Sequence, residues 1–133
     1  MTQLTPDYDR SDEDVRRLAY GLDAAQAAVF AVNDANGWFD DERTFGDDVA
    51  LLHTEVSEMF EAYRDNGYAD MTDLVLPGDT HLPKPEGVGS EAADILVRLL
   101  DTCYRRGISL AWEFERKLQF NSTRGHKHGG KII

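Results

Sequence analysis

Apolar side chains recur along the chain at spacings of three and four residues, the period of a helix with one buried face. The clearest case is a helix predicted over residues 48–64, whose apolar face consists of Val49, Leu52, Val56, Met59, Phe60 and Tyr63. We expect Asp47 to cap this helix and Asn66-Gly67 to end it. A second helix, predicted over residues 90–106 with Ser90 as its N-cap, is apolar over an arc too wide for one neighbouring helix. This arc indicates a bundle interior or a subunit interface.

Two further helices are predicted on either side of this pair. The first runs from the N-cap Ser11 to about residue 35, before Asn36-Gly37, and the last covers about residues 110–120. Because only a short turn precedes the last helix, we expect it to return antiparallel to the third. No segment alternates in the way that a strand requires. The pattern therefore predicts an all-α bundle of four to five helices.

The rest of the chain is irregular in this prediction. Residues 1–10 form a polar lead, residues 68–89 contain the scattered prolines and glycines of a long loop, and residues 122–133 form a basic tail. A loop of this length in a compact domain is usually functional or mobile. The chain has 133 residues, enough for one helical core, so we expect a single domain over residues 1–133.

The charge balance excludes one large class of function. The chain holds 25 acidic and 14 basic residues, a formal net charge of −11, which argues against a general DNA- or RNA-binding surface. Its one cysteine, Cys103, falls in an apolar helical run, so we expect a small core side chain in a reducing compartment. No run is apolar enough for a membrane span, and no signal-peptide pattern begins the chain. These features predict a soluble cytoplasmic protein without a membrane partner or stable nucleic-acid binding.

Two pairs of carboxylates stand three residues apart on the two central helices. Glu55 and Glu58 lie on the flank of the first apolar face, and Glu91 and Asp94 repeat the spacing on the second helix. Two such pairs would suit Mg²⁺, which takes hard oxygen ligands and shares them with phosphates. An acidic chain produces pairs at this spacing by chance, and periodicity places Glu91 and Asp94 opposite the centre of the apolar arc. A metal site and two solvated faces both remain open on this evidence.

Polar residues interrupt the apolar stripe of the first helix. Gln26 and Asn33 fall within that stripe, and Trp38 follows the end of the helix. Buried amides need hydrogen-bond partners, so each amide either satisfies neighbouring groups or lines a pocket and binds the edge of a base. Trp38 either packs in the core or stacks on a ring.

The chain becomes basic at its end. No acidic residue follows Glu115, whereas Lys117, Asn121 and Arg124 are spaced four and three residues apart and would share one helix face. Such a face could bind a polyphosphate, or it could be a frayed basic terminus. Two histidines in the same tail, at 126 and 128, are too few for a transition-metal site.

Three motifs in this order resemble those of the MazG-like nucleotide pyrophosphohydrolases, in the all-α NTP pyrophosphatase superfamily. The first is Glu55-x-x-Glu58, and the second is Glu91-x-x-Asp94, preceded by Pro-Glu-Gly-Val. The third is the tail Lys117-x-x-x-Asn121-x-x-Arg124-x-x-Lys127-His128-Gly-Gly-Lys131. The resemblance spans residues 15–131.

The resemblance implies an α-helical fold completed by association into dimers or dimers of dimers. It implies cleavage of a nucleoside triphosphate to the monophosphate and pyrophosphate, with Mg²⁺, or Mn²⁺ as the alternative ion. The implied metal ligands are Glu55, Glu58, Glu91 and Asp94, with Glu55 or Glu58 as general base. The implied phosphate-binding residues are Lys117, Asn121, Arg124, Lys127 and Lys131. Because family members bind the base near the first helix, the base-binding candidates are Gln26, Asn33 and Trp38.

Three other functions are compatible with some of these motifs. A related specificity, such as dUTP, dCTP or phosphoribosyl-ATP hydrolysis, would use the same motifs. A non-catalytic helical interaction module would be expected to lose a carboxylate or the basic stripe, and this chain keeps both. An acidic DNA mimic would fit the net charge but gives no reason for the basic tail. Two features depart from the family pattern: Gly125 stands where proline often follows the arginine, and residues 67–89 are longer than the link in compact members.

Overall fold

The computed structural model describes residues 12–124, and every regular element in that range is helical. The four helices are α1 (Asp12–Ala35), α2 (Phe45–Asn66), α3 (Val88–Arg105) and α4 (Leu110–Ser122). The all-α prediction is confirmed for this part of the chain. The polar lead, the predicted cap Ser11 and residues 125–133 of the basic tail lie outside the described residues.

Helix α2 begins one turn earlier than predicted. Its N-cap is Thr44, whose hydroxyl accepts from the Asp47 backbone N–H at 3.2 Å, while the Asp47 carboxylate accepts from the Thr44 N–H at 2.8 Å. The prediction that Asp47 is the cap is wrong because Asp47 is the third helical residue of this reciprocal capping box. The predicted end at Asn66-Gly67 is confirmed, since Gly67 has a φ of 61° and donates its N–H to Tyr63 O at 2.8 Å.

Helix α3 also begins before its predicted cap. Gly87 is the N-cap, and Ser90 instead donates its hydroxyl to Pro85 O at 3.0 Å. The φ of Gly87 is 104°, and a Cβ there would lie 2.7 Å from Ala69 O, so glycine is required. Residues 68–87 between α2 and α3 contain no helix or strand, whereas the predicted loop extended to residue 89. The two ends of this segment meet where Met71 N–H donates to Glu86 O at 3.2 Å.

The helices pack in a row rather than around one central core. Helix α3 packs against both α2 and α1, and α1 packs against α4, so the order is α2, α3, α1, α4. The prediction that α4 returns antiparallel along α3 is wrong, because the turn before α4 is bound to α1. The amide of Gln26 on α1 donates to Ile108 O at 3.2 Å and accepts from Leu110 N–H at 3.3 Å.

Few apolar side chains are fully enclosed by this row. Among the described residues, the buried apolar side chains are Leu100, Cys103 and Ala111. Much of the apolar face of α2 stays exposed, including Val49, Val56, Phe60 and Tyr63. In contrast, Cys103 is enclosed as predicted, and burial raises the pKa of its thiol. None of the described helices has the length and apolar character needed to cross a membrane.

Candidate metal centre

Three of the four predicted metal ligands converge between α2 and α3. One carboxylate oxygen from each of Glu55, Glu91 and Asp94 lies within 4.8 Å of the others. The packing of α2 on α3 brings the two sequence pairs together, and the three-residue spacing places Glu91 and Asp94 on the same side of α3. Glu58 is exposed on α2 and lies outside this set.

The cluster concentrates negative charge. Partial burial raises the pKa of Glu91, and the neighbouring charges of Asp94, Glu58 and Glu55 raise it further, whereas Lys84 lowers it. Glu55 is buried, and Arg98 Nε donates to its Oε1 at 2.8 Å. The site therefore carries repulsion that a bound cation would relieve, although one of its oxygens already has a cationic partner.

A cavity of about 210 Å³ adjoins the cluster. It is lined by Asn33, Trp38, Arg43, Glu55, Asp94, Val97, Arg98 and Asp101. Two of the predicted base-binding residues thus share one cavity with two of the predicted metal ligands. Larger depressions of about 660 and 580 Å³ are lined by α1 alone and by the 68–87 loop, and they contain none of the predicted ligands.

The end of α1 sets the positions of the two base-binding candidates. The Trp38 N–H donates to Asn33 O at 3.0 Å, which joins the two residues across the helix end. Trp38 is 53 % exposed, and Arg98 lies 5.7 Å from the centroid of its ring. The neighbouring Phe39 instead stacks on Phe30 at 4.9 Å. Packing is therefore the role of Phe39, while Trp38 presents its ring to the cavity.

The third base-binding candidate, Gln26, has a different environment. Its side chain is buried, its amide binds backbone groups on both sides of the turn before α4, and it is not among the residues that line the cavity. These two hydrogen bonds satisfy the amide within the fold, as the packing interpretation of the sequence required.

The described basic residues lie on or just beyond α4, a helix that packs on α1 rather than on the two helices that carry the carboxylates. Lys117, Asn121 and Arg124 are all exposed, and the Arg124 guanidinium lies 5.6 Å from the Phe120 ring. Helix α4 packs on α1, which separates it from α3 and from α2 beyond it. Lys127 and Lys131, together with both tail histidines, lie outside the described residues.

The structure also adds three charged residues that the sequence analysis missed. Arg98 and Asp101 follow Asp94 by four and seven residues, so the helical period was a usable signal for both. Arg43 lies in the loop before α2, and no sequence pattern marked it. The Arg43 Nη2 approaches Asp101 Oδ2 at 3.9 Å, while Asp101 Oδ1 is buried without a hydrogen-bond partner among the described residues.

Comparison with protein-family models, with curated proteins and with solved structures gives no match. The resemblance to the MazG-like family therefore rests on the sequence motifs alone.

Proposed function

We propose that this chain is a Mg²⁺-dependent nucleoside triphosphate pyrophosphohydrolase that converts a ribo- or deoxynucleoside triphosphate to its monophosphate and pyrophosphate. The observation that carries the proposal is the convergence of Glu55, Glu91 and Asp94 beside a cavity lined by Asn33 and Trp38. Carboxylates suit a phosphate-bound cation, and an amide beside an exposed indole suits a base. The motif order resembling the MazG-like family supports the same assignment.

The carboxylate set fits a hard divalent cation. All three converging ligand atoms are carboxylate oxygens, which Mg²⁺ prefers, and Mn²⁺ accepts the same donors. Glu55, Glu91 and Asp94 would hold the ion, with Glu58 as the fourth ligand or the base. When bound, such an ion supplies Lewis-acid polarisation of the α-phosphate and lowers the pKa of a coordinated water.

Side chains of the protein would take the proton from the attacking water and position the base and the α-phosphate. Glu58 is exposed, whereas Glu55 is buried against Arg98, so we assign Glu58 as the general base that takes a proton from the attacking water. The Trp38 ring would stack on the base, and the Asn33 amide would bind its edge. Their shared cavity with Asp94 would hold the α-phosphate near the carboxylates.

Association would complete both the fold and the site. The exposed apolar face of α2 is a surface that a second copy would cover, in a homodimer or homotetramer. Because α1 separates α4 from the carboxylates, we propose that Lys117, Asn121 and Arg124 bind the phosphates held by another copy. Lys117 and Asn121 are exposed on α4, and Arg124 is exposed just beyond the end of that helix at Ser122, so all three are accessible to such a partner.

Pyrophosphate release from a panel of ribo- and deoxynucleoside triphosphates, with Mg²⁺ and with chelator, tests the reaction. We expect metal-dependent release with a monophosphate product, and loss of activity in Glu55→Gln and Asp94→Asn. Glu61→Gln is the matched control, because Glu61 is exposed on α2 and is not part of the cluster. Full activity in the two ligand variants, or release that survives chelation, would contradict the proposal. The same panel ranks dUTP and dCTP against the other substrates.

A mixing experiment tests the shared site. Glu55→Gln and Lys117→Ala chains are each expected to be inactive, but a dimer of one of each would hold one intact site if the two residues come from different copies. Random mixing would then restore roughly a quarter of wild-type activity. Mixtures that stay inactive would show that Lys117 does not act across an interface.

A further inference from the structure

Arg98 binds one carboxylate oxygen of Glu55, a residue of the candidate metal centre. It lies one helical turn beyond Asp94 on α3, and its Nε donates to Glu55 Oε1 at 2.8 Å. Both side chains are largely enclosed, with exposed fractions of 27 % for Arg98 and 11 % for Glu55. Within residues 12–124, Glu55 is the carboxylate that approaches Arg98 within 4.0 Å. Arg98 is therefore the counter-ion of a carboxylate that a metal ion would also require.

The second arginine in the cavity is held differently. Arg43 approaches Asp48 at 3.8 Å and Asp101 at 3.9 Å, and neither of these carboxylates belongs to the metal cluster. A cation at Glu55 would leave both of these contacts in place. It would compete with Arg98 for the Glu55 carboxylate, which is the ion-pair partner of Arg98 among the described residues, so Arg98 is the arginine that cation binding would release.

A released Arg98 would stay in the cavity. Its guanidinium already lies 5.7 Å from the Trp38 ring centroid, a contact that does not depend on Glu55. The freed N–H groups would then need an anionic partner, and phosphate oxygens match the guanidinium fork. A triphosphate beside Trp38 and Asp94 would present such oxygens.

We propose that Arg98 is an exchangeable counter-ion, which neutralises Glu55 in the metal-free protein and passes to the substrate's phosphates when a divalent cation takes Glu55. Arg98 thereby weakens the binding of metal alone and strengthens the binding of triphosphate. This inference rests on the proposed function, because it requires both the metal site and the triphosphate.

Opposite shifts in two affinities distinguish this role from a structural one. In Arg98→Gln, we expect Mn²⁺ alone, measured from the free-ion EPR signal, to bind about tenfold more tightly, since it no longer competes with a charge-assisted hydrogen bond. With saturating metal, we expect the KM for the best triphosphate of the panel to rise about tenfold. A residue that only supports the fold would weaken both interactions. Unchanged or weaker Mn²⁺ binding in Arg98→Gln would overturn the proposal.

Two further variants keep the test decisive. Arg106→Gln removes a comparably enclosed arginine that binds Asp48 outside the cavity, and we expect neither affinity to change. Arg98→Lys retains the charge without the planar fork, and it should shift both affinities in the same directions by smaller factors. If the proposed function itself fails, Mn²⁺ binding that depends on Asp94 will be absent from the wild type, and Asp94→Asn will give the same result as the wild type. If only the role of Arg98 is wrong, the wild type will bind Mn²⁺ at this site and Arg98→Gln will bind it equally well.

Discussion

Arg106, at the end of α3, binds the buried carboxylate of Asp48 on α2, with its Nε 3.0 Å from Asp48 Oδ2. The Asp48 side chain is 2 % exposed, and Arg43 and Arg105 approach its other oxygen at 3.8 and 3.6 Å. One carboxylate therefore balances three guanidinium groups from the loop before α2 and from the end of α3. Removing its charge would leave these groups to repel one another at a site where solvent screens them only in part.

We expect Asp48→Asn to lower the free energy of unfolding by about 3 kcal/mol, the lower end of the range for a broken buried ion pair, because the arginines keep some contact with solvent. Urea unfolding followed by circular dichroism measures this difference. Asp65→Asn, on the exposed surface of the same helix, is the control and should change it little. Equal stability of the two variants would show that the arginines do not depend on Asp48.

Gln26→Met is expected to lower the free energy of unfolding by about 1–3 kcal/mol, because it leaves Ile108 O and Leu110 N–H without their partner. It should not alter the ranking of nucleotides in the pyrophosphate-release assay. Asn33→Ala provides the comparison, since Asn33 lines the cavity and its loss should change nucleotide preference. A changed nucleotide ranking in Gln26→Met with wild-type stability would instead support the base-binding role that its position in the sequence predicted.

Glu91→Gln should stabilise the metal-free protein at neutral pH. Burial and the charges of Asp94 and Glu58 raise the pKa of Glu91, so the folded chain holds that proton more tightly than the unfolded chain. Ionised Glu91 therefore destabilises the fold above its folded pKa, and this cost disappears as the pH falls through that pKa toward the unfolded value of about 4. In chelator, we expect the variant to have the higher Tm at pH 7.5 and the difference to close on acidification.

Added Mg²⁺ should give the wild type a higher Tm than Glu91→Gln, since only the wild type keeps the full ligand set. Thermal melts over a pH series, with chelator and with Mg²⁺, measure both effects. Glu61→Gln should show neither the pH dependence nor the reversal. A lower Tm for Glu91→Gln in chelator at neutral pH would mean that the carboxylates do not repel one another.

Two glycines at the start of α3 should respond in opposite ways to alanine. Gly87→Ala places a Cβ 2.7 Å from Ala69 O at a φ of 104°, so we expect the free energy of unfolding to fall by about 1–3 kcal/mol. Gly89 is helical, and a Cβ added there would meet no atom within 4 Å. Gly89→Ala should therefore raise the free energy of unfolding by up to about 1 kcal/mol. Urea unfolding compares the two variants, and a change of the same sign in both would contradict the required backbone geometry at Gly87.

The sequence predicted helix positions well where one local signal marked an end. Asn36-Gly37 and Asn66-Gly67 closed α1 and α2 as expected. The start of α2 was misplaced because Thr44 and Asp47 are both good caps, and the box uses them together. The position of α4 depends on Gln26, which is 82 residues from Ile108, so no local pattern carries that information.

The site shows the same division between local and distant information. The three-residue spacing identified Glu55, Glu91 and Asp94, although periodicity alone favoured solvated positions for the last two. Their convergence depends on how α2 packs on α3, which no single helix encodes. Arg98 was missed because a long charged side chain on the polar side of a helix usually extends to solvent, whereas here it binds a carboxylate of the neighbouring helix.

The order of the helices in the row has a consequence for how the chain acquires its structure. The two helices that pack on α1 are α3 and α4, and both follow α2 and the 68–87 loop in the chain. In the described range, α2 and α3 are the one pair of consecutive helices with an extensive contact. During synthesis, α1 emerges with no surface to dock on until α3 has followed it. Docking α1 then closes a loop that contains all of α2, an entropic cost that bundles of sequential hairpins avoid. The α2–α3 hairpin is thus the expected nucleus, and α1 and α4 join it afterwards.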